Sequence, residues 1–330
     1  MMEYSYSYSE GYIKNARGMR LFTCRWLPAN PRQPIKALVF ICHGYAVECS
    51  VTMRGTGERL ASAGYAVYGM DYEGHGRSDG LRGYVPSIDA LVADCDAFFT
   101  SVISAAARNN NNNPPNSNSN ADPDDCPSPA PLPRFLLGES MGGAVALLLH
   151  RSRPSYWSGA VLVAPMCKIA DGMKPPRPVI RILEAIATLV PKWKIVPTKD
   201  VIDAAYRTAA KRAEIRRNPW CYKGRPRLGT AHQMLAASVR VEKEVLPLVS
   251  LPFLVVHGGA DAVTDPAVSA LLYRTAASED KTLRLYPGMW HALTSGELQE
   301  NIDAVFADIV DWLDHRSSSS SPAVSGSTVA

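Results

Sequence analysis

Short, uninterrupted apolar runs recur along this chain and outline its architecture. Ala37–Cys42, Tyr65–Met70, Phe135–Leu137, Gly159–Ala164 and Pro252–His257 are apolar throughout or nearly so, as strands buried on both faces of a parallel sheet must be. Met19–Leu27 and Lys281–Tyr286 read as further strands. Between them lie stretches with helical spacing: about Thr52–Ala63, ended by Gly64; Ile88–Ala107, with Val92, Cys95, Phe98, Phe99 and Val102 on one side; Ala144–His150; Pro266–Ala277; and Asn301–His315. Strand and helix alternate, which predicts an α/β fold with a mostly parallel central sheet flanked by helices.

Two stretches break the alternation. From Pro165 to about Pro247 the chain is rich in Pro, Lys, Arg and Trp and shows helical but no strand periodicity, the pattern of a helical cap inserted between strands. Residues 108–133 hold five consecutive asparagines and then Pro, Asn, Ser and Asp. Such a segment buries too little apolar surface to offset its ordering entropy, so a disordered surface insertion that tolerates deletion is expected. The organisation expected is a flexible N-terminus (1–18), one domain (19–316) carrying the cap (165–247) and the insertion, and a disordered tail (317–330).

Composition narrows the function little. The 330 residues carry a net charge of +4, and no basic cluster with interleaved aromatics suggests nucleic acid. No basic segment leads into an apolar core at the N-terminus, and no apolar run reaches the ~20 residues that span a bilayer. The seven cysteines are scattered without Cys-x-x-Cys spacing. They read as reduced thiols of a cytosolic protein, neither a disulfide frame nor a zinc site.

The chemistry centres on Gly138-Glu139-Ser140-Met141-Gly142. A lone Gly-x-Ser-x-Gly is weak evidence. Here a buried strand precedes it and a helix follows, which is the setting of a nucleophile elbow: a sharp turn that strains the serine backbone and projects its Oγ above the sheet. The helix starting at Met141 points its N–H groups toward the place where an oxyanion would form.

A hydroxyl nucleophile needs a base, and the base needs an orienting acid. α/β-hydrolases order these Ser, acid, His, with acid and histidine just after strands. Asp261 follows the strand ending at His257, and His291 follows the strand ending at Tyr286. Their separation, 291 − 261 = 30 residues, is one strand-helix-strand step. Asp265, followed by Pro266, stays open as the alternative acid, its plainer role being a helix N-cap. The backbone N–H groups of Tyr45 and Met141 are the expected oxyanion donors. His43 reads as a loop-ordering residue, and His75 and His257 as structural residues satisfied by nearby backbone. His150 lies about three turns along the elbow helix, too far to reach Ser140.

His43-Gly44-Tyr45, Gly74-His75-Gly76-Arg77-Ser78, Gly138–Gly143, Val163–Met166, Asp261–Pro266 and Tyr286–His291 together resemble the monoacylglycerol lipase family. The variant is similar to its plant branch, which also contains caffeoylshikimate esterases and lysophospholipases. The likeness runs from about Gly11 to Arg316 without the Asn-rich insertion. It implies an α/β-hydrolase fold with a cap over the serine, a triad of Ser140, Asp261 and His291, oxyanion donors at Tyr45 and Met141, and no cofactor or metal. The family often carries an acidic residue where Gly259 stands here.

The substrate expected is a small ester or lipid. The cap segment Val179–Val190 is apolar on most sides, which fits either a helix packed on the core or an acyl-chain entrance that touches membrane. Lys192 and Lys194 beside Trp193 suit an interfacial edge. The first expectation is hydrolysis of monoacylglycerol by a cytoplasmic enzyme with peripheral membrane contact through the cap. Caffeoylshikimate esterase and lysophospholipase are alternatives of the same chemistry. A ligand receptor on a hydrolase scaffold is the alternative without turnover, and an intact Ser-Asp-His set argues against it.

Overall fold

The computed structural model describes residues 6–30, 33–112, 131–168, 185–196 and 200–318. Eight strands form one sheet: β1 (Tyr6–Lys14), β2 (Arg20–Pro28), β3 (Leu38–Cys42), β4 (Ala66–Met70), β5 (Arg134–Glu139), β6 (Gly159–Val163), β7 (Phe253–Gly258) and β8 (Lys281–Tyr286). Their order is β1-β2-β4-β3-β5-β6-β7-β8. β1–β2 and β2–β4 pair antiparallel, and every other neighbouring pair is parallel. This is the α/β-hydrolase arrangement.

Side-chain alternation splits the core into two layers. Leu38, Phe40 and Cys42 of β3 face one side, where they meet helices α2 (Ile88–Asn112) and α3 (Met141–Ser152). Val39 and Ile41 face the other, with α1 (Arg54–Ser62) and the C-terminal helix of the domain, Gln299–Ser317. β3, β6 and β7 are buried at every position. From Met141 to His150, α3 is buried on all sides, which explains why its sequence is apolar all round. α2 from Ile88 to Arg108 has the length and hydropathy of a membrane span, but Ile88, Leu91, Cys95, Phe98 and Phe99 are spent in the core.

The N-terminus corrects the expectation of a flexible segment over 1–18. Tyr6–Lys14 forms β1, paired with β2 from Tyr6–Pro28 to Lys14–Arg20. The Tyr/Ser alternation is itself the strand signal, since a period of two puts Tyr6 and Tyr8 on one face. Tyr8 packs on Trp26 with ring centroids 5.2 Å apart, and Tyr12 meets Phe22 at 5.6 Å. A turn at Asn15–Gly18, with Gly18 at φ +78°, closes the hairpin.

α2 also runs past its expected end at Ala107 to Asn112, because extending an existing helix is far easier than starting one. The rest of the insertion, 113–130, and the tail from 319 lie outside the described residues. In the cap the described residues form α4 (Val201–Ala205), α5 (Ala209–Arg217) and α6 (Leu228–Arg240), the last continuing through a π-helical turn at Val241–Val245. No strand occurs among the described cap residues. The segment Val179–Glu184 lies outside them. Helices α7 (Pro266–Thr275) and α8 (Gln299–Ser317) complete the domain.

Candidate active site

Ser140 stands between β5 and α3 with φ +55° and ψ −119°. The turn is held by backbone bonds: Ser140 N–H donates to Val163 O at 3.0 Å, and Ser140 O accepts from Gly143 N–H at 2.9 Å and Met166 N–H at 2.8 Å. The flanking glycines are required by close approach. A Cβ on Gly138 would lie 2.5 Å from Gly142 O, and one on Gly142 would lie 1.8 Å from Cys42 O. Among the described non-glycine residues only Ala46, Ser140 and Ala164 have positive φ, and all three lie in segments that follow strands at the carboxyl edge of the sheet. Backbone strain gathers at functional sites in this manner.

Met141 is the first residue of α3, so its N–H has no acceptor within the helix. Tyr45 follows β3 in the loop packed against the elbow, where Gly44 lies so close that a Cβ on it would sit 3.4 Å from Ser140 Cβ. The Tyr45 hydroxyl donates to Gly83 O at 2.9 Å. His43 orders this loop: its Nδ1 lies 2.7 Å from Gly44 O, and its Nε2 accepts from Tyr72 N–H at 3.2 Å. Burial, with His75 beside it, pushes the His43 imidazole down to about 3, so it stays neutral.

The carboxylate of Asp261 is fully buried. Its Oδ1 accepts from Val263 N–H at 2.7 Å and Thr264 N–H at 3.0 Å. Its Oδ2 accepts from Thr264 Oγ1 at 2.8 Å and lies 2.7 Å from His291 Nδ1. An ionised carboxylate only accepts, so Nδ1 carries the proton and the Nε2 lone pair of His291 is left available as a base. Burial alone would raise the Asp261 carboxyl, but hydrogen bonds from His257 and His291, aided by the imidazole charge and the Thr264 N–H, hold it well below the usual carboxylate range. Asp265 is the N-cap of α7, accepting from Ala267 N–H at 2.8 Å.

The histidine loop is tied to the elbow. Thr294 Oγ1 donates to Glu139 Oε2 at 2.8 Å, which bonds the residue before Ser140 to the third residue after His291. Burial raises the Glu139 carboxyl, with Thr294 and the His291 imidazole opposing that shift.

His257 has a role beyond the backbone satisfaction expected of it. It is fully buried at the end of β7. Its Nδ1 faces Ser269 Oγ at 2.7 Å, and its Nε2 lies 3.1 Å from Asp261 Oδ2 and 3.2 Å from Thr264 O. The signal was its place four residues before Asp261. His75 bonds Glu73 O through Nδ1 at 3.1 Å, while its Nε2 has no partner among the described residues. His150 accepts from Ser250 N–H at 3.1 Å, remote from the elbow. His43, Cys49 and Asp71 form a buried group whose ligand-type atoms lie within 4.8 Å. Its imidazole is committed to Tyr72 N–H, and Asp71 accepts from Cys49 and Arg77 N–H.

Comparison with known proteins gives a consistent picture. The family model described as serine aminopeptidase, S33 matches residues 33–115 and 123–299. Caffeoylshikimate esterase of Arabidopsis thaliana is 35% identical over 310 residues, 93% of this chain and 86% of that protein. Human monoglyceride lipase is 29% identical over 312 residues, 94% of this chain and 92% of that one. Among solved structures, a soluble variant of monoglyceride lipase from Saccharomyces cerevisiae, bound to a substrate analogue, superposes with a TM-score of 0.77 at 22% identity, covering 93% of this chain and 94% of that one.

Proposed function

The chain belongs to the S33 serine hydrolase family, with caffeoylshikimate esterase and the monoglyceride lipases as relatives, and on that footing we propose that it cleaves monoacylglycerol to fatty acid and glycerol through an acyl-Ser140 intermediate. That it is a carboxylic ester hydrolase follows from family and relatives together. The observation that carries the mechanism is the Asp261–His291 pair, which leaves Nε2 as a free base on a loop that Thr294 ties to Glu139, the residue before the strained Ser140.

In the proposed cycle Ser140 Oγ attacks the ester carbonyl carbon while His291 Nε2 takes its proton. The N–H groups of Met141 and Tyr45 stabilise the resulting oxyanion. Asp261 holds the imidazole tautomer and offsets the imidazolium charge. Collapse expels glycerol, whose oxygen receives the proton from Nε2. Water activated by the same nitrogen then attacks the acyl carbon and frees the fatty acid and Ser140.

A lipid substrate is supported by the cap rim. Leu189 is 82% and Trp193 58% exposed, with Ile195 and Val201 also exposed, and Lys192 and Lys194 flank Trp193. This mixture suits contact with a lipid surface. A cytosolic location fits the six described cysteines, all free and buried. Hydrolysis of a hydroxycinnamoyl ester is the second reading, favoured by the 35% identity to caffeoylshikimate esterase.

Two experiments test this. Ser140→Ala should abolish both turnover and labelling by a serine-directed phosphonate, and retained turnover would reject the mechanism. Comparative kcat/KM on monoacylglycerols, lysophospholipids and caffeoylshikimate decides the substrate; a preference for caffeoylshikimate would overturn the lipase reading.

A further inference from the structure

A cap is commonly pictured as a lid that moves as a whole. Here one stretch of it, from α4 through Tyr222, is built into the loops around Ser140. A small apolar cluster joins Ala205, Tyr206, Ile215 and Cys221 of the cap to Ala292, next to His291, with Val47 and Val263 packed against it. Val47 lies two residues beyond Tyr45 and Val263 two beyond Asp261, so one cluster touches all three loops.

Polar bonds fix each end of the stretch. At one end Ala292 N–H donates to Ala205 O at 3.1 Å and Thr208 N–H to Gly296 O at 3.2 Å. Arg207 bonds Gly288 O and pairs with the buried Glu297 at 2.9 Å. Glu297 in turn accepts from Trp290 N–H at 2.6 Å. At the other end Tyr222 N–H donates to Ala46 O at 2.8 Å. Ala46 is one of the three described non-glycine residues with positive φ and directly follows Tyr45, so a cap N–H holds the strained residue beside the proposed oxyanion donor.

The second tie at that end is Glu48, fully buried in the Tyr45 loop. Its carboxylate accepts from Ser50 Oγ at 2.6 Å, from Thr52 N–H at 2.9 Å and Oγ1 at 3.1 Å, and from Val51 N–H at 3.1 Å. These donors belong to its own loop. The donor from elsewhere is Asn218 Nδ2 in the cap, at 3.0 Å. Asn218 is itself buried and fixed, with Oδ1 accepting from Trp220 N–H at 2.9 Å and its N–H donating to Glu214 O at 2.8 Å.

We propose that α4 to Tyr222 is a fixed clamp that sets the spacing of the oxyanion and histidine loops, and that Asn218 is a positioning residue which holds the Tyr45 N–H in place through Glu48. This rests on the reading of Ser140 as nucleophile and Tyr45 as oxyanion donor. Loss of the clamp misplaces a donor needed at the transition state, so the effect belongs in kcat and is independent of acyl-chain length.

The test is Asn218→Ala, in which Glu48 keeps its four local donors, with Asn218→Asp, which sets a second carboxylate against Glu48, and Asn218→Ser, whose hydroxyl is too short to reach it. Each is assayed on p-nitrophenyl acetate and on a long-chain monoacylglycerol, alongside thermal melting and the stoichiometry of phosphonate labelling. The expected result is a kcat loss of about 10- to 100-fold, equal on both esters, with KM within threefold, complete but slower labelling, and cooperative melting. Asn218→Asp should lose more than Asn218→Ala. Unchanged kcat in the folded variants, or a loss confined to KM or to the long-chain ester, would overturn the clamp. Failure of the wild-type protein to label at Ser140 would instead sink the nucleophile assignment.

Discussion

His257 Nε2 lies 3.1 Å from Asp261 Oδ2, the oxygen that also holds His291 at 2.7 Å. Two imidazoles therefore grip one buried carboxylate, one from the strand end and one from the neighbouring loop. Replacing His257 with Leu removes a charge-assisted bond of about 1.5–3 kcal/mol and leaves Ser269 Oγ without its partner. The expected result is a kcat lower by about 10- to 100-fold with little change in KM, read from steady-state kinetics. Wild-type kcat in a folded His257→Leu protein would show that His291 alone suffices to hold Asp261.

The strain at Ser140 separates activity from stability. A left-handed non-glycine residue costs on the order of 1–3 kcal/mol, and Ser140 has φ +55°. Ser140→Gly should abolish ester cleavage while raising the unfolding free energy by about 1 kcal/mol, the relief being partly offset by the greater backbone entropy of glycine. Urea denaturation of the two proteins measures it; an unchanged or lower midpoint would mean that the turn is relaxed for serine.

Gly142 gives the opposite outcome. A Cβ there would meet Cys42 O at 1.8 Å and His43 O at 2.8 Å. Both are backbone atoms of the segment leading to Tyr45, so they yield only by moving that segment. Gly142→Ala should destabilise the fold by about 3 kcal/mol and reduce kcat by displacing the Tyr45 and Met141 N–H groups proposed as oxyanion donors. Melting curves and kinetics on a short ester check both parts.

Asp261 is also expected to contribute to acid stability. Its carboxyl is held well below the usual range, against about 3.9 in an unfolded chain. A lowered folded pKa contributes stability that is present above the unfolded value and is lost as pH falls below it through the folded one. Wild-type stability should therefore drop from about pH 4 downward, and Asp261→Asn should flatten that limb while being less stable near neutrality. Parallel limbs in the two proteins would remove Asp261 from the acid transition.

The elements around Ser140 were legible because each leaves a local mark. Apolar runs announced β3, β6 and β7, glycines at 138 and 142 announced the turn, and chain order pointed to positions 261 and 291. β1 is hidden in the sequence because its alternation is written in Tyr and Ser, which reads as polar until the tyrosines are placed against Trp26 and Phe22. His257, Glu48 and Asn218 were illegible for a different reason. A buried polar residue takes its meaning from partners far away in the chain, and the Glu48–Asn218 bond spans 170 positions.

Before the long polar insertion the described chain ends with α2 at Asn112, and after it the chain resumes at residue 131, three residues ahead of β5 at Arg134. Ser140 lies six positions further on, about 20 Å along an extended strand and at the opposite edge of the sheet. A tag or reporter grafted between residues 112 and 131 would therefore rejoin the sheet at the end of β5 remote from Ser140, and ester cleavage should survive the graft.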